Sequence, residues 1–228
     1  MIDYTKHNWL VFKYAEKWLS DWAQHIRGTL YDLGCGERPY EHFILQHADA
    51  YVGVDWSNTL HDLKADVVAD LNQPLAMIKD QSADTVFSVS VMEHLCEPQN
   101  FLNESFRILK QGGVMLLQVP FQWHVHEAPY DYFRYTEYGL KYMFTKAGFS
   151  EVQVTPNTGF WSTVVLKSNY HSLRFIRGPR PLRAVLRMCA TPVWFVGQYL
   201  AYGLDKIDRH PTETAGYTVV AVKGAPNA

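Results

Sequence analysis

The sequence predicts an α/β fold, a doubly wound and mostly parallel sheet of seven strands with a helical insertion before the last strand. Three observations carry this. Seven short β-rich runs alternate with helix-like stretches, the pattern of βαβ units whose sheet is covered on both faces. Two glycines, Gly34 and Gly36, follow the first run, at the edge where an open α/β sheet binds its ligands. Residues 157–213 separate the last two runs, too long a stretch for an ordinary connection.

Taken in order, Trp9, Phe12, Ala15, Leu19, Trp22 and Ile26 recur at mostly three- and four-residue steps, which predicts an amphipathic helix over 8–26. The runs TLYDLG, YVGVDW (51–56), ADVVADL (65–71), DTVFSVSV (84–91) and VMLLQVP (114–120) then read as five strands. The stretch 97–110 reads as a helix that stops at Gly112-Gly113. Thr136 is an N-cap for a helix ended by Gly148, and EVQVT (151–155) and GYTVVAV (216–222) supply the last two strands. One domain is expected: an N-terminal helix (1–28), a ligand-binding core (29–156), the insertion (157–213), and the last strand with its tail (214–228).

Composition narrows the classes. With 228 residues, 47% hydrophobic and 19% charged, the chain can bury a proper core. A net charge of −2 argues against a dedicated nucleic-acid binder. Cys35, Cys96 and Cys189 are few, odd in number and widely spaced, which fits neither a disulfide framework nor a zinc motif. The first residues lack a signal-peptide core, so a cytoplasmic location is expected. Residues 160–204 hold six cations (Lys167, Arg174, Arg177, Arg180, Arg183 and Arg187) and no acid, which leaves −8 on the remainder.

The loop LYDLGCGERPY (30–40) lets backbone approach a ligand closely. Asp55 ends the next strand 19 residues beyond Gly36, as a ribose-binding carboxylate would. Asp70 ends the third strand at the same edge. A dinucleotide fingerprint would need a third glycine where Pro39 stands, which disfavours an NAD-dependent enzyme, and no phosphate-binding P-loop occurs. The ligand expected is a nucleoside without phosphates.

On these motifs the chain resembles the class I S-adenosylmethionine-dependent methyltransferases, with their Rossmann-like sheet, over about 29–155 and again from 216. The matching segments are DLGCGERPY, VGVDWS, VVADL, SADTVFSVSVMEHL and FLNESFRILKQGGVMLLQVP. The resemblance implies S-adenosylmethionine as cofactor. It places Asp32, Gly34, Cys35 and Gly36 around the methionine part and Asp55 at the ribose. Trp56, Asp70 and Leu71 would line the adenine, with Ser90 nearby.

After the fifth strand comes HVHEAPYDYFRYT (124–136), beside the expected position of the departing methyl group. A hydroxyl acceptor must lose a proton, so a general base is useful there. His124, His126, Glu127 and Asp131 are candidates, with His126 and Asp131 put forward as catalytic. Tyr130, Tyr132, Phe133 and Tyr135 offer faces that stack on sugar rings, and Arg134 could pair with an anionic substrate or with Asp131. A metal bound by His124, His126 and Glu127 is not expected, because no further matched ligand is at hand. The run PFQWHVHEAPYDYFRYT also resembles a methyltransferase subgroup associated with surface-polysaccharide and glycan biosynthesis, which implies a small-molecule or glycan acceptor. A nitrogen or carbon acceptor, or a methyltransferase-like interaction module, is the alternative.

In the insertion, Pro181 is placed to start a helix, Pro192 to interrupt it, and 193–204 to form a short apolar helix. The apolar run of 17 residues from Met188 is too short to cross a membrane. A helical lid is one reading. Peripheral contact of 157–213 with an anionic inner membrane surface, close to a lipid-linked sugar, is the other.

Overall fold

A computed structural model describes residues 2–57, 64–208, 210 and 212–224. Seven strands form one sheet: β1 (Thr29–Leu33), β2 (Ala50–Asp55), β3 (Val67–Val68), β4 (Ala83–Val89), β5 (Leu109–Pro120), β6 (Glu151–Pro156) and β7 (Gly216–Val222). Their order is β3-β2-β1-β4-β5-β7-β6. The pairs β1·β2, β1·β4, β2·β3 and β4·β5 are parallel. β7 runs the other way: Gly112 N–H donates to the Lys223 carbonyl (2.8 Å) and Lys223 N–H to the Gly113 carbonyl (2.9 Å). Against β6, Ser150 N–H donates to Val222 and Asn157 N–H to Gly216, again a reversed pairing. The sheet is therefore mixed, with one antiparallel strand in an otherwise parallel order. Because the strand order reverses between β1 and β4, the carboxyl ends of these strands open the crevice where such sheets bind ligands.

Among the described residues the α-helices are α1 (Trp9–Trp22), which precedes β1, and, between strands, α2 (Glu41–Ile44), α3 (Pro98–Ile108), α4 (Glu137–Ala147), α5 (Phe160–Ser172) and α6 (Arg180–Ile207). The expected caps of α4 are present. The Thr136 hydroxyl accepts from Gly139 N–H at 3.1 Å, and Gly148 takes the left-handed conformation at φ 108°. Three boundaries differ from expectation. Gly112 and Gly113 do not end α3; they lie inside β5, where Gly112 (φ 72°) lets the strand take up extra residues between the Ala83↔Leu109 and Thr85↔Val114 pairings. The third strand is only two residues long, so Asp70 falls beyond its end. Pro192 does not interrupt the insertion: α6 runs 28 residues straight through it, because tertiary packing of Trp194, Gln198 and Ala201 continues on one side of the helix.

The chain divides into two compact units. Residues 20–121, 125–155 and 217–224 form the sheet unit. Its core includes Leu33, Val54, Val86, Phe101, Ile108, Leu117, Phe144 and Val219, all under 2% exposed. Residues 2–19, 122–124 and 156–216 form the helical unit, which thus takes the start of α1 together with the insertion. There Gln198 is fully buried and satisfied: its side-chain oxygen accepts from Leu10 N–H, while its amide donates to the Lys6 and Trp194 carbonyls. Asp205 accepts from the Gly159, Trp161 and Ser162 N–H groups at the start of α5, a capping role no local sequence signal announces.

Candidate active site

The site is built from loops at the carboxyl ends of β1, β2, β4 and β5 in the sheet unit. Gly34 and Gly36 both have positive φ, 87° and 51°. A Cβ on Gly34 would collide with the Val91 side chain, so glycine is needed there for packing as well as for conformation. A Cβ on Gly36 would meet nothing within 4 Å: the loop backbone borders open space, as a ligand cradle requires. The loop is tied to β2 by Gly34 and Cys35 N–H groups donating to the Val54 carbonyl. Asp55, 9% exposed, completes the tie by accepting from Gly36 N–H at 2.7 Å and from Trp56 N–H at 2.8 Å. Its carboxylate therefore has bound partners already, with lone pairs left over for a ligand hydroxyl.

Asp32 is buried beneath this loop and accepts from the Tyr51 hydroxyl at 2.6 Å. Burial, reinforced by the charge of Asp55, pushes its carboxyl up to about 7. Burial likewise pushes the Cys35 thiol up to about 12, so Cys35 is a packing residue and not a nucleophile. Arg38 pairs with Asp66 at 2.7 Å, and Asp66 accepts from Gly53 N–H, which braces the loop from the far side. Asp70 is exposed and accepts from both the backbone and the side chain of Asn72 at 2.9 Å. Leu71 is buried. Ser90, just past β4 at φ 54°, donates its hydroxyl to the Gln118 side chain at 2.8 Å.

The loop after β5 comes to the same edge. Trp56 meets Tyr130 edge-on, with ring centroids 5.3 Å apart. Next to Tyr130 lies a cluster that begins with Glu93, a residue to which the sequence drew no attention. Glu93 is 0% exposed, neither carboxylate oxygen accepts a hydrogen bond among the described residues, and burial pushes its carboxyl up to about 8. Facing its Oε1 are His94 Nε2 at 3.7 Å and His126 Nε2 at 3.8 Å. His94 Nδ1 sits 2.7 Å from the Tyr130 carbonyl, a contact that requires the proton on Nδ1. His126 turns its Nδ1 toward Asp131 Oδ2 at 3.3 Å.

Asp131 is held in place. Its side chain is buried, Arg134 grips it through two nitrogens at 2.5 and 2.7 Å, and His126 N–H donates to it at 2.8 Å. The Arg134 guanidinium keeps its carboxyl well below the usual carboxylate range. Of the two partners open to Arg134 in the sequence, Asp131 is the one it takes. His124 parts from His126 and belongs to the helical unit, where its ring lies 4.9 Å from that of Tyr170. Tyr132 and Phe133 are exposed beside the cluster, while Tyr135 is buried and donates to the Met92 carbonyl. A signal for Glu93 did exist: in SVMEHLC an acid stands within an apolar stretch immediately beyond a strand.

Residues 31–117 match the family model of a methyltransferase domain. Over 99 residues the chain is 31% identical to a probable S-adenosylmethionine-dependent methyltransferase of Mycolicibacterium smegmatis, covering 39% of this chain and 37% of that one. The match thus spans little more than a third of that relative's length. The fold resembles that of an S-adenosylmethionine-dependent methyltransferase of Archaeoglobus fulgidus, with a TM-score of 0.60 and 15% identity over 94% of each chain. It also resembles phosphoethanolamine N-methyltransferase 2 of Haemonchus contortus, solved with S-adenosylmethionine, with a TM-score of 0.55 and 17% identity over 96% of this chain and 58% of the other. At these identities the structural likeness is one of fold alone.

Proposed function

We propose that this chain, with a methyltransferase domain over residues 31–117, is an S-adenosylmethionine-dependent methyltransferase acting on a hydroxyl of a small molecule or glycan. The observation that carries the reading is one sheet edge holding both an open glycine loop tied to Asp55 and, across the Trp56–Tyr130 contact, a cluster of proton-accepting groups.

The residues present fit the cofactor, since Gly36 borders open space and Asp55 stands at the carboxyl end of β2. Asp32, Gly34, Cys35 and Gly36 hold its methionine part, Asp55 its ribose hydroxyls, and Trp56, Asp70 and Leu71 its adenine, with Ser90 beside them. Bound there, the cofactor supplies an electrophilic methyl group on a sulfonium. The chain's own contribution is mostly alignment, which is worth roughly 7–11 kcal/mol for a well-oriented encounter. An acceptor hydroxyl must also release its proton, and the Glu93–His94–His126 cluster is where that proton is managed. His126 is its more exposed histidine. Asp131 is a positioning residue that orients the His126 ring, and Arg134 fixes Asp131. The exposed faces of Tyr132 and Phe133 suit a sugar ring, in keeping with the subgroup resemblance.

A lipid-linked acceptor is supported by α6. No described helix is long and apolar enough to cross a membrane. Yet Leu182, Val185, Val193, Val196, Leu200, Leu204 and Ile207 all lie exposed on one face of α6, and Arg180, Arg183 and Arg187 are exposed on another. Such a helix lies on an anionic surface. Calorimetry with S-adenosylhomocysteine and with NAD tests the cofactor assignment: binding of the first and not the second is expected, and the reverse refutes it.

A further inference from the structure

We propose that Glu93, His94 and His126 form a binding site for a first-row divalent cation. Among the described residues, these three bring one ligand atom each to within 4.8 Å of one another. This departs from the sequence expectation of no metal, and for a physical reason. The sequence offered His124 as the partner of His126, whereas the fold supplies Glu93 and His94 from the end of β4 instead.

Glu93 is the strongest part of the case. A fully buried carboxylate that accepts no hydrogen bond is costly, and such groups in folded proteins call for an explanation. What faces it is a pair of imidazole nitrogens, His94 Nε2 at 3.7 Å and His126 Nε2 at 3.8 Å. A divalent cation shared by all three would give the Glu93 oxygens the partner they otherwise lack.

The His94 ring is already oriented as a ligand. A metal-binding histidine usually donates its other ring N–H to a carbonyl or carboxylate, which fixes the tautomer and aims the lone pair. His94 does this through Nδ1 to the Tyr130 carbonyl at 2.7 Å, and among the described residues His94 Nε2 has no hydrogen-bond partner. His126 Nδ1 lies 3.3 Å from Asp131 Oδ2 and 3.4 Å from Arg134 Nη2; with its proton on Nδ1 facing Asp131, the ring would turn the Nε2 lone pair toward Glu93. Bonds of about 2.0–2.1 Å to nitrogen and oxygen put neighbouring ligand atoms roughly 3–3.4 Å apart. The two distances to Glu93 Oε1, 3.7 and 3.8 Å, must close by roughly 0.3–0.8 Å, and the widest separation in the trio, within 4.8 Å, by up to about 1.4–1.8 Å. Glu127 brings a further carboxylate within 3.8 Å of His94 Nε2.

Two nitrogens and one oxygen suit manganese, iron(II), cobalt or zinc, whereas calcium and magnesium prefer all-oxygen sites. Three protein ligands leave coordination positions open on the acceptor side. Use of the cation there rests on the methyl-transfer reading: an acceptor hydroxyl bound to it gives up its proton to solvent more readily. Binding of the cation itself does not rest on that reading.

The test uses the full chain, stripped with a chelator and titrated with cobalt(II), whose visible absorption reports its ligands, followed by displacement with zinc. One cobalt per chain is expected for the wild type. Glu93→Gln, which keeps the side-chain volume but removes the charge, should lose stoichiometric binding. So should His126→Ala, at a partly exposed position where folding is not at stake. Asp131→Asn should weaken binding about 10- to 100-fold. Failure of the wild type to bind overturns the proposal. So does wild-type binding by both Glu93→Gln and His126→Ala, which would place the cation on surface histidines. Calorimetry with S-adenosylhomocysteine on the same stripped protein separates the two readings: binding there without any cobalt site leaves methyl transfer standing and removes the metal.

Discussion

Removing the Asp55 carboxylate should weaken cofactor binding in a way that can be told apart from damage to the loop. In the structure Asp55 accepts from Gly36 and Trp56 N–H groups at 2.7 and 2.8 Å, so Asp55→Ala frees two backbone donors. Both residues are half-buried and water can reach part of them, which keeps the cost to the fold near the low end of roughly 1.5–3 kcal/mol per charged hydrogen bond. The ribose contact is of the same kind, so affinity for S-adenosylhomocysteine should drop by about 1.5–3 kcal/mol, roughly 10- to 150-fold. The discriminating step is a cycle with the 2′-deoxy form of the ligand, measured calorimetrically on protein whose melting curve shows it folded. If Asp55 binds the ribose, its removal should matter much less to the deoxy ligand than to the parent. Equal losses for both ligands would mean that Asp55 acts only by holding the loop. Unchanged affinity for the parent ligand would remove it from the site altogether.

Three further outcomes are expected. His126→Ala should lower turnover by about 10²–10⁴ while leaving S-adenosylhomocysteine affinity nearly unchanged; normal turnover, or lost cofactor binding, contradicts its acceptor-side placement. Asp32 carries its proton to about pH 7 when folded but only to about 3.8 when unfolded, so the stability it allows is greatest below pH 4 and is lost as pH rises to 7. Asp32→Asn, which still accepts from Tyr51, should therefore gain on the wild type across that window by up to about 4 kcal/mol in urea melts, and a constant difference between the two proteins refutes the shift. The protein should sediment with anionic vesicles at low salt and not at high salt, and should stop doing so when Arg177, Arg180, Arg183 and Arg187 become Gln; no pelleting at low salt removes the membrane reading.

The glycine-loop side of the candidate site was legible because its signals are local. Gly34, Gly36 and Asp55 each sit at a strand end, and a strand end can be read from an apolar run and the turn that follows. Thr136 and Gly148 marked α4 for the same reason. The loop after β5 was legible only in part. Asp131 and Arg134, three residues apart, suggested their own pairing, but Glu93 and His126 are 33 positions apart and meet only through the β4–β5 register, which no local pattern encodes. Helix ends failed where packing outweighed propensity. The glycine pair 112–113 looked like a stop and became a bulge, and Pro192 looked like a break and was carried by the packing of its neighbours.

Methyl transfer itself is the claim on which the rest depends, and it can be observed directly. The protein is incubated with S-adenosylmethionine bearing an isotopically labelled methyl group and an extract of lipid-linked sugars, and products are resolved by mass spectrometry. The account predicts an acceptor whose mass rises by one labelled methyl group, with S-adenosylhomocysteine formed in equal amount and both lost in His126→Ala. A protein that binds S-adenosylmethionine but leaves its labelled methyl group in place, across hydroxyl, amine and carbon acceptors alike, would contradict it.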